Sequence, residues 1–270
     1  MTDRTLARLE VAGVVVAEYL SGRGLDPALA PRPHLHPVRT LSGTVVTDAG
    51  PDDHPWHRGL GVALQDVGGW NLWGGPTYVR DQGYVALEDH GRVEHDAFLA
   101  QDSGGWTDRL SWRTGAGSPL LEEERTVSAA PLGEGYELTL RTTLSNATEG
   151  PLRLGSPATN GRAGAGYGGL FWRLPPGGRP RVSAAAGEGE AACHGVVTPR
   201  LVWQDAGLGF TLVLRSPDLD PWFVRIGDYP GVGLQLAAAH PVVLPVRGSL
   251  TRELRALVLD GVDDPDLGRA

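Results

Sequence analysis

Tyr136-Glu-Leu-Thr-Leu-Arg141 decides the fold: Tyr136, Leu138 and Leu140 alternate with Glu137, Thr139 and Arg141. Successive side chains of a strand point to opposite faces, so this pattern predicts one buried and one solvated face. The same alternation recurs at Leu60, Val62 and Leu64 against Gly61, Ala63 and Gln65. Apolar runs within residues 7–20 flank Ala12-Gly13, and residues 38–41 and 44–47 flank Ser42-Gly43, which predicts two tight hairpins. Residues 85–101, 110–114, 201–214, 223–226 and 232–237 have the same strand vocabulary. Residues 120–127 and 250–257 carry some helical spacing but tolerate a strand reading. Residues 68–82 and 155–181 read as long loops. These features predict an all-β chain: one large antiparallel β-sandwich, a single domain over residues 1–270.

Composition narrows the function. The net charge of −8 argues against a nucleic-acid groove. All 24 basic residues are arginine, so no lysine Schiff base can form. The one cysteine, Cys193, excludes an internal disulfide framework and reads as a small buried hydrophobe. The apolar run 11–16 is soon broken by Glu18, and nothing approaches the ~18–20 residues of a membrane helix. The expectation is a cytoplasmic protein with no membrane partner. The sequence sets no oligomeric state.

Chemistry concentrates in residues 32–59. Arg32-Pro-His-Leu-His36 and Asp52-Asp-His-Pro-Trp-His-Arg-Gly59 hold four of the eight histidines, with prolines that favour rigid loops. Imidazole can shuttle a proton, bind a metal or hydrogen-bond a sugar hydroxyl. His54 and His57 are the candidate acid or base, with Glu94 the candidate carboxylate. His36 and Arg58 are expected to orient substrate, and Arg58 to favour a neutral His57. In His90-Gly-Arg-Val-Glu-His95, a strand would put Arg92 and Glu94 on one face and Val93 and His95 on the other. Glu122-Glu-Glu-Arg125 reads as a solvated face. The glycine-rich segment 160–169 lacks a P-loop lysine and reads as a tight loop presenting Asn160, Arg162 and Tyr167. Trp56, Trp70 and Trp73 lie in Pro/Gly-rich loops, where an indole can stack on a sugar.

Arg32–Thr40, Asp52–Leu60, the Gly-Tyr-Gly-Gly-Leu-Phe-Trp-Arg stretch at 166–173 and the closing stretch 249–261 resemble a bacterial family of unassigned function. That family is often labelled "methane oxygenase PmoA" and is similar to galactose-mutarotase-like sandwiches. The resemblance implies a sheet that carries histidines and a carboxylate acting on a sugar. It also implies that His36, His54, His57, Arg58, His95, Tyr167 and Arg173 lie at the site.

The expected function is therefore a carbohydrate-active enzyme working on a sugar or keto-sugar by His/carboxylate acid–base chemistry, as an epimerase, mutarotase or lyase. Its partner is a small-molecule carbohydrate, and no cofactor is predicted. One alternative is a divalent-metal lyase or hydrolase with His54 and His57 as ligands. Another is a non-catalytic sugar-binding protein. A redox role ranks last, since no nucleotide fingerprint and no Cys-rich cluster is present. The enzymatic readings require His36, His54 and His57 to share one cavity.

Overall fold

The computed structural model describes residues 3–262. Two large antiparallel sheets dominate them. The smaller runs, in spatial order, Thr5–Val11, Val14–Leu20, His34–Val38, Leu60–Ala63, Gly169–Arg173, Gly231–Leu234 and Trp222–Arg225. The larger runs Gly187–Glu188, Pro180–Ala184, Arg200–Asp205, Phe210–Arg215, Ser249–Asp260, Gly135–Asn146, Pro119–Leu132, Gly105–Arg113 and Arg92–Gln101. Leu60, Val62, Leu170, Trp172 and Val224 of the smaller sheet share one buried core with Tyr136, Leu138, Leu140 and Trp112 of the larger. Helix is confined to short pieces such as Glu190–Cys193, where Cys193 is buried. No helix of the described residues is long and apolar enough to cross a membrane.

The alternation at 136–141 is observed as expected. Tyr136, Leu138 and Leu140 are buried, and Arg141 is exposed. The hairpin at Ala12-Gly13 also forms, with both residues at positive φ. At Ser42-Gly43 only a single bridge, Arg39 to Val45, accompanies the turn. Backbone bonds Thr40 N–H to Thr44 O and Val46 N–H to Val38 O flank it, and the Ser42 hydroxyl and N–H are held by Asp260.

One open reading is decided and two expectations change. The stretches with helical spacing are strands, because each pairs on both sides: Pro119–Leu132 lies between two neighbours, and so does Ser249–Asp260. The stretch 155–181 is not one loop, because it contains the fully buried central strand Gly169–Arg173. Phe171 fits there because Gly61 and Gly233 are its partners on either side. Finally, Glu123 and Arg125 are not solvated. The strand period turns both inward, and each is 1% exposed. Arg125 donates two bonds to Glu123, at 2.8 and 2.9 Å, and Glu123 also accepts from Trp112 and Thr142. A buried ion pair persists only when its remaining polar atoms are satisfied in this way.

Strand Leu60–Ala63 is buried on both faces. Val62 faces the shared core, while Ala63 joins Trp73, Ala165, Tyr167, Phe171 and Phe223 in a second apolar cluster. That cluster lies on the outer face of the smaller sheet, roofed by loops. The candidate site is built on it.

Candidate functional site

The segment 48–59 leaves the sheet after Val38 and returns to it at Leu60. It is closed on itself by Gly50 N–H to His57 O and Gly59 N–H to Asp48 O, at 2.8 and 2.9 Å. Inside it two tight turns follow one another: His54 N–H bonds Pro51 O, and His57 N–H bonds His54 O. The loop is tied to strand Gly169–Arg173 by Asp48 N–H to Arg173 O and Arg173 N–H to Gly59 O. Arg32, 2% exposed, clamps it from below. Its guanidinium donates to Trp56 O at 2.8 Å and to Trp73 O at 2.9 Å. Sequence reasoning gave Arg32 no role. Its only signal was membership in the His-rich block.

His54 and His57 stack with ring centroids 4.6 Å apart and planes 17° apart. Both line a cavity of about 470 Å³, with Trp56, Trp73, Tyr167, Phe223 and Tyr229 among the walls. His54 Nδ1 lies 2.7 Å from Asp53 Oδ2. With the proton on Nδ1 donated to the carboxylate, Nε2 is the free basic atom. Desolvation acts to raise the Asp53 pKa, but the His54 hydrogen bond and the Arg173 charge outweigh it and hold the carboxyl below its usual range.

His57 is 2% exposed, and burial, with His54 and Arg173 adding to it, pushes its pKa down to about 2. The ring is therefore neutral. Arg173 approaches its Nδ1 at 3.5 Å, which favours the tautomer with the proton on Nε2. Such a ring donates a hydrogen bond without carrying a charge. Arg173 is itself held by Asp53 at 3.4 Å and Asp48 at 3.8 Å, and lies 4.8 Å from the Tyr229 ring centroid.

Opposite, Tyr167 O–H meets Gln65 Nε2 at 3.0 Å and the Tyr84 hydroxyl at 2.8 Å. Burial raises the Tyr167 pKa well above its ordinary value, with Tyr84 adding to the shift, so Tyr167 remains a neutral phenol. Arg162 donates to Tyr84 and stacks on its ring.

The cavity brings together His54, Trp56, His57, Trp73, Arg162 and Tyr167 from the predicted set, with Arg173 behind them. It does not bring in the others. His36 turns to Thr47, its Nδ1 3.0 Å from the hydroxyl. Arg58 lies against Gly50, outside the cavity wall. Asn160 bonds Asp66 and Arg153 and fastens its own loop. Glu94 pairs with Arg92 and Arg113 and, with His95, lines a different cavity. The shared cavity therefore holds two of the three histidines named together above; the expectation that His36 joins them is not met, and an enzymatic reading now has to rest on His54 and His57. Asp53 and Tyr229 were given no acid–base or binding role from the sequence. The 2.7 Å contact of Asp53 follows from adjacency to His54, whereas no local signal marks Tyr229.

Catalytic zinc takes three protein ligands. Among the described residues no group of three or more His, Cys, Asp or Glu is arranged to hold an ion. The near-parallel stacking of the two rings opposes convergence of His54 and His57 on one.

Fold and site together define a class: an antiparallel β-sandwich with a histidine-bearing aromatic cavity on one sheet. The chain belongs to the Family of unknown function (DUF6807), whose model matches residues 7–269. That description assigns no activity, an oxygenase activity included. No curated protein matches the sequence significantly. Among solved structures, the chain is similar to a putative aldose 1-epimerase from Escherichia coli K12, with 9% identity, TM-score 0.48, and coverage of 94% of this chain and 98% of that one. It is also similar to a galactose mutarotase related enzyme from Lactobacillus acidophilus, with 10% identity, TM-score 0.47, and coverage of 97% and 100%. A polysaccharide lyase matches at 12% identity and TM-score 0.40, over 97% of this chain and 33% of that one.

Proposed function

We propose that the protein is a carbohydrate-active enzyme that moves a proton on a sugar or keto-sugar, in an epimerase, mutarotase or lyase type of reaction. The observation that carries this reading is the Asp53–His54 pair at the wall of an aromatic cavity of about 470 Å³. Ligand sites of ~300–1,000 Å³ accept small molecules. Indole and phenol faces suit the C–H face of a pyranose, while hydroxyls need donors and acceptors at fixed places. Tyr167, Tyr84 and Gln65 supply those on one side. His57 supplies a neutral donor on the other.

In this reading His54 takes or gives the proton through Nε2, and Asp53 stabilises the imidazolium that forms. His57 hydrogen-bonds the oxygen on which charge develops. Arg173 orients His57 and keeps it uncharged. The carboxylate of the mechanism is then Asp53, and Glu94 has no part in it.

The test is a panel of aldoses, ketoses and uronates incubated with the purified chain in D2O and followed by proton NMR. Anomer exchange faster than the uncatalysed rate, deuterium incorporation beside a carbonyl, or an unsaturated product each reports one reaction type. The reading expects one of them, and expects it to be lost in His54→Ala. Saturable sugar binding with no turnover in any assay would replace it with the sugar-binding alternative.

A further inference from the structure

A larger cavity, about 860 Å³, lies away from the histidine pair. It opens between the edge strands Thr5–Val11 and Arg92–Gln101 and the segment 21–31. Leu6, Leu25 and Phe98 form its apolar wall. His95 also lines it, its ring 4.5 Å from that of Phe98.

Directly behind His95 is an unfinished polar network. His95 Nε2 lies 3.7 Å from Asp108 Oδ2, beyond hydrogen-bond reach. His95 Nε2 and Asp108 Oδ1 are both buried, and neither has a hydrogen-bond partner among the described residues. Asp108 is 0% exposed and accepts one bond, from the Tyr19 hydroxyl at 2.8 Å. Arg125 reaches that hydroxyl at 3.4 Å, but its charge is matched by Glu123 in the bidentate pair. Asp108 is thus the carboxyl without a full counterion, and burial pushes its pKa up to about 7, against the pull of Arg125. Buried polar groups are almost always satisfied, so this orphaned pair at a cavity wall calls for a cause.

The cavity's charges suggest one. Its carboxylates are engaged: Glu94 by Arg92 and Arg113, and Asp96 by the Ser111 hydroxyl at 2.7 Å. Arg4 and Arg23 line it with no ion pair or side-chain hydrogen bond among the described residues. The charged groups that act on His95 are Asp96, Arg125 and Arg4, with Asp108 behind the ring. An anion held by Arg4 and Arg23 beside the ring would favour imidazolium, whose Nε2–H then has Asp108 to donate to. The ligand thereby completes the network between the His95 ring and Asp108.

We propose that this cavity is a second ligand site, selective for a small organic carboxylate, with His95 as its polar anchor and Arg4 and Arg23 as its charge clamp. The proposal is independent of the reaction assigned to His54. The test uses the full chain with isotope-labelled histidine, titrated with glucuronate and with benzoate and, as controls, with glucose and with sodium chloride at matched ionic strength. The His95 ring signals are identified by their absence in His95→Gln. Saturable shifts of those signals with either carboxylate are expected, unchanged in His54→Ala and weakened at least tenfold in the Arg4→Gln/Arg23→Gln variant. These arginines lie at the exposed rim, so the double variant folds. No shift of His95 with either carboxylate, an equal shift with chloride or glucose, or unchanged affinity in the double variant overturns the proposal. Loss of turnover in His54→Ala reports separately on the first site.

Discussion

At the residue scale the two stacked imidazoles have different work. His54 keeps an exposed edge and a carboxylate partner, whereas His57 is sealed in and neutral. A positioned acid or base contributes typically ~10²–10⁴-fold in rate. His54→Ala is therefore expected to lower kcat by about that factor, with the unfolding midpoint close to that of the parent chain. His57→Gln, which retains a donor, should lose less rate than His57→Ala, and steady-state kinetics of both on the sugar that the panel assay identifies would check this. Equal losses would remove the hydrogen-bonding role. A different residue pair controls stability. Glu123→Ala leaves the Arg125 guanidinium buried without its carboxylate, and stranding a buried charge costs about 3–5 kcal/mol. Urea unfolding should show that loss, far above the value for the exposed neighbour Glu122→Ala.

At the element scale the site depends on loops that approach very closely. Gly75 has φ +68°, and a Cβ there would lie 2.5 Å from Trp56 Cδ2. Gly75→Ala should cost more than about 1 kcal/mol through its backbone alone. It should also displace the Trp56 ring, raising KM and shifting tryptophan fluorescence. A variant with parental fluorescence and KM would show that the loop absorbs the methyl group elsewhere. The strands beneath were easier to read. Residues 136–141 announce themselves because one face is core and the other is water. Strand Gly169–Arg173 does not, because both of its faces are covered and period two disappears from its sequence. The outward positions of the strand before Gln65 gave a usable hint. They are Gly61, Ala63 and Gln65, small or neutral where a solvated face would carry charge.

At the scale of the whole molecule, buried titratable groups set the response to acid. Burial pushes His34 down to about 3 and His57 down to about 2, so both bind a proton more readily unfolded than folded. A depressed folded pKa contributes stability above the unfolded value near 6.5 and loses it as pH falls below. Asp108, raised to about 7, acts in the opposite sense, favouring the folded state as pH falls from 7 toward 4. His36, His95 and His194 are likewise held below their ordinary range by burial and add to the histidine side, so stability falls as pH drops from about 6 to about 4. Urea unfolding at a series of pH values should show stability falling over that window. His34→Gln should flatten the slope, and Asp108→Asn should steepen it. A flat profile would show that these groups titrate alike folded and unfolded.

The sequence by itself determined the all-β class and the strands with one solvated face, because alternation and tight turns act between residues close in the chain and need only one apolar face to be satisfied. It also determined that His54, Trp56 and His57 belong to one rigid loop, since proline and short spacing hold them together. Only the tertiary structure decided which distant groups complete the site. Strand order brings Arg173 and Tyr229 beside that loop and carries Glu94 and His95 to another cavity. Side-chain chemistry is local, but the meeting of two side chains depends on which strands become neighbours, and long-range packing sets that order.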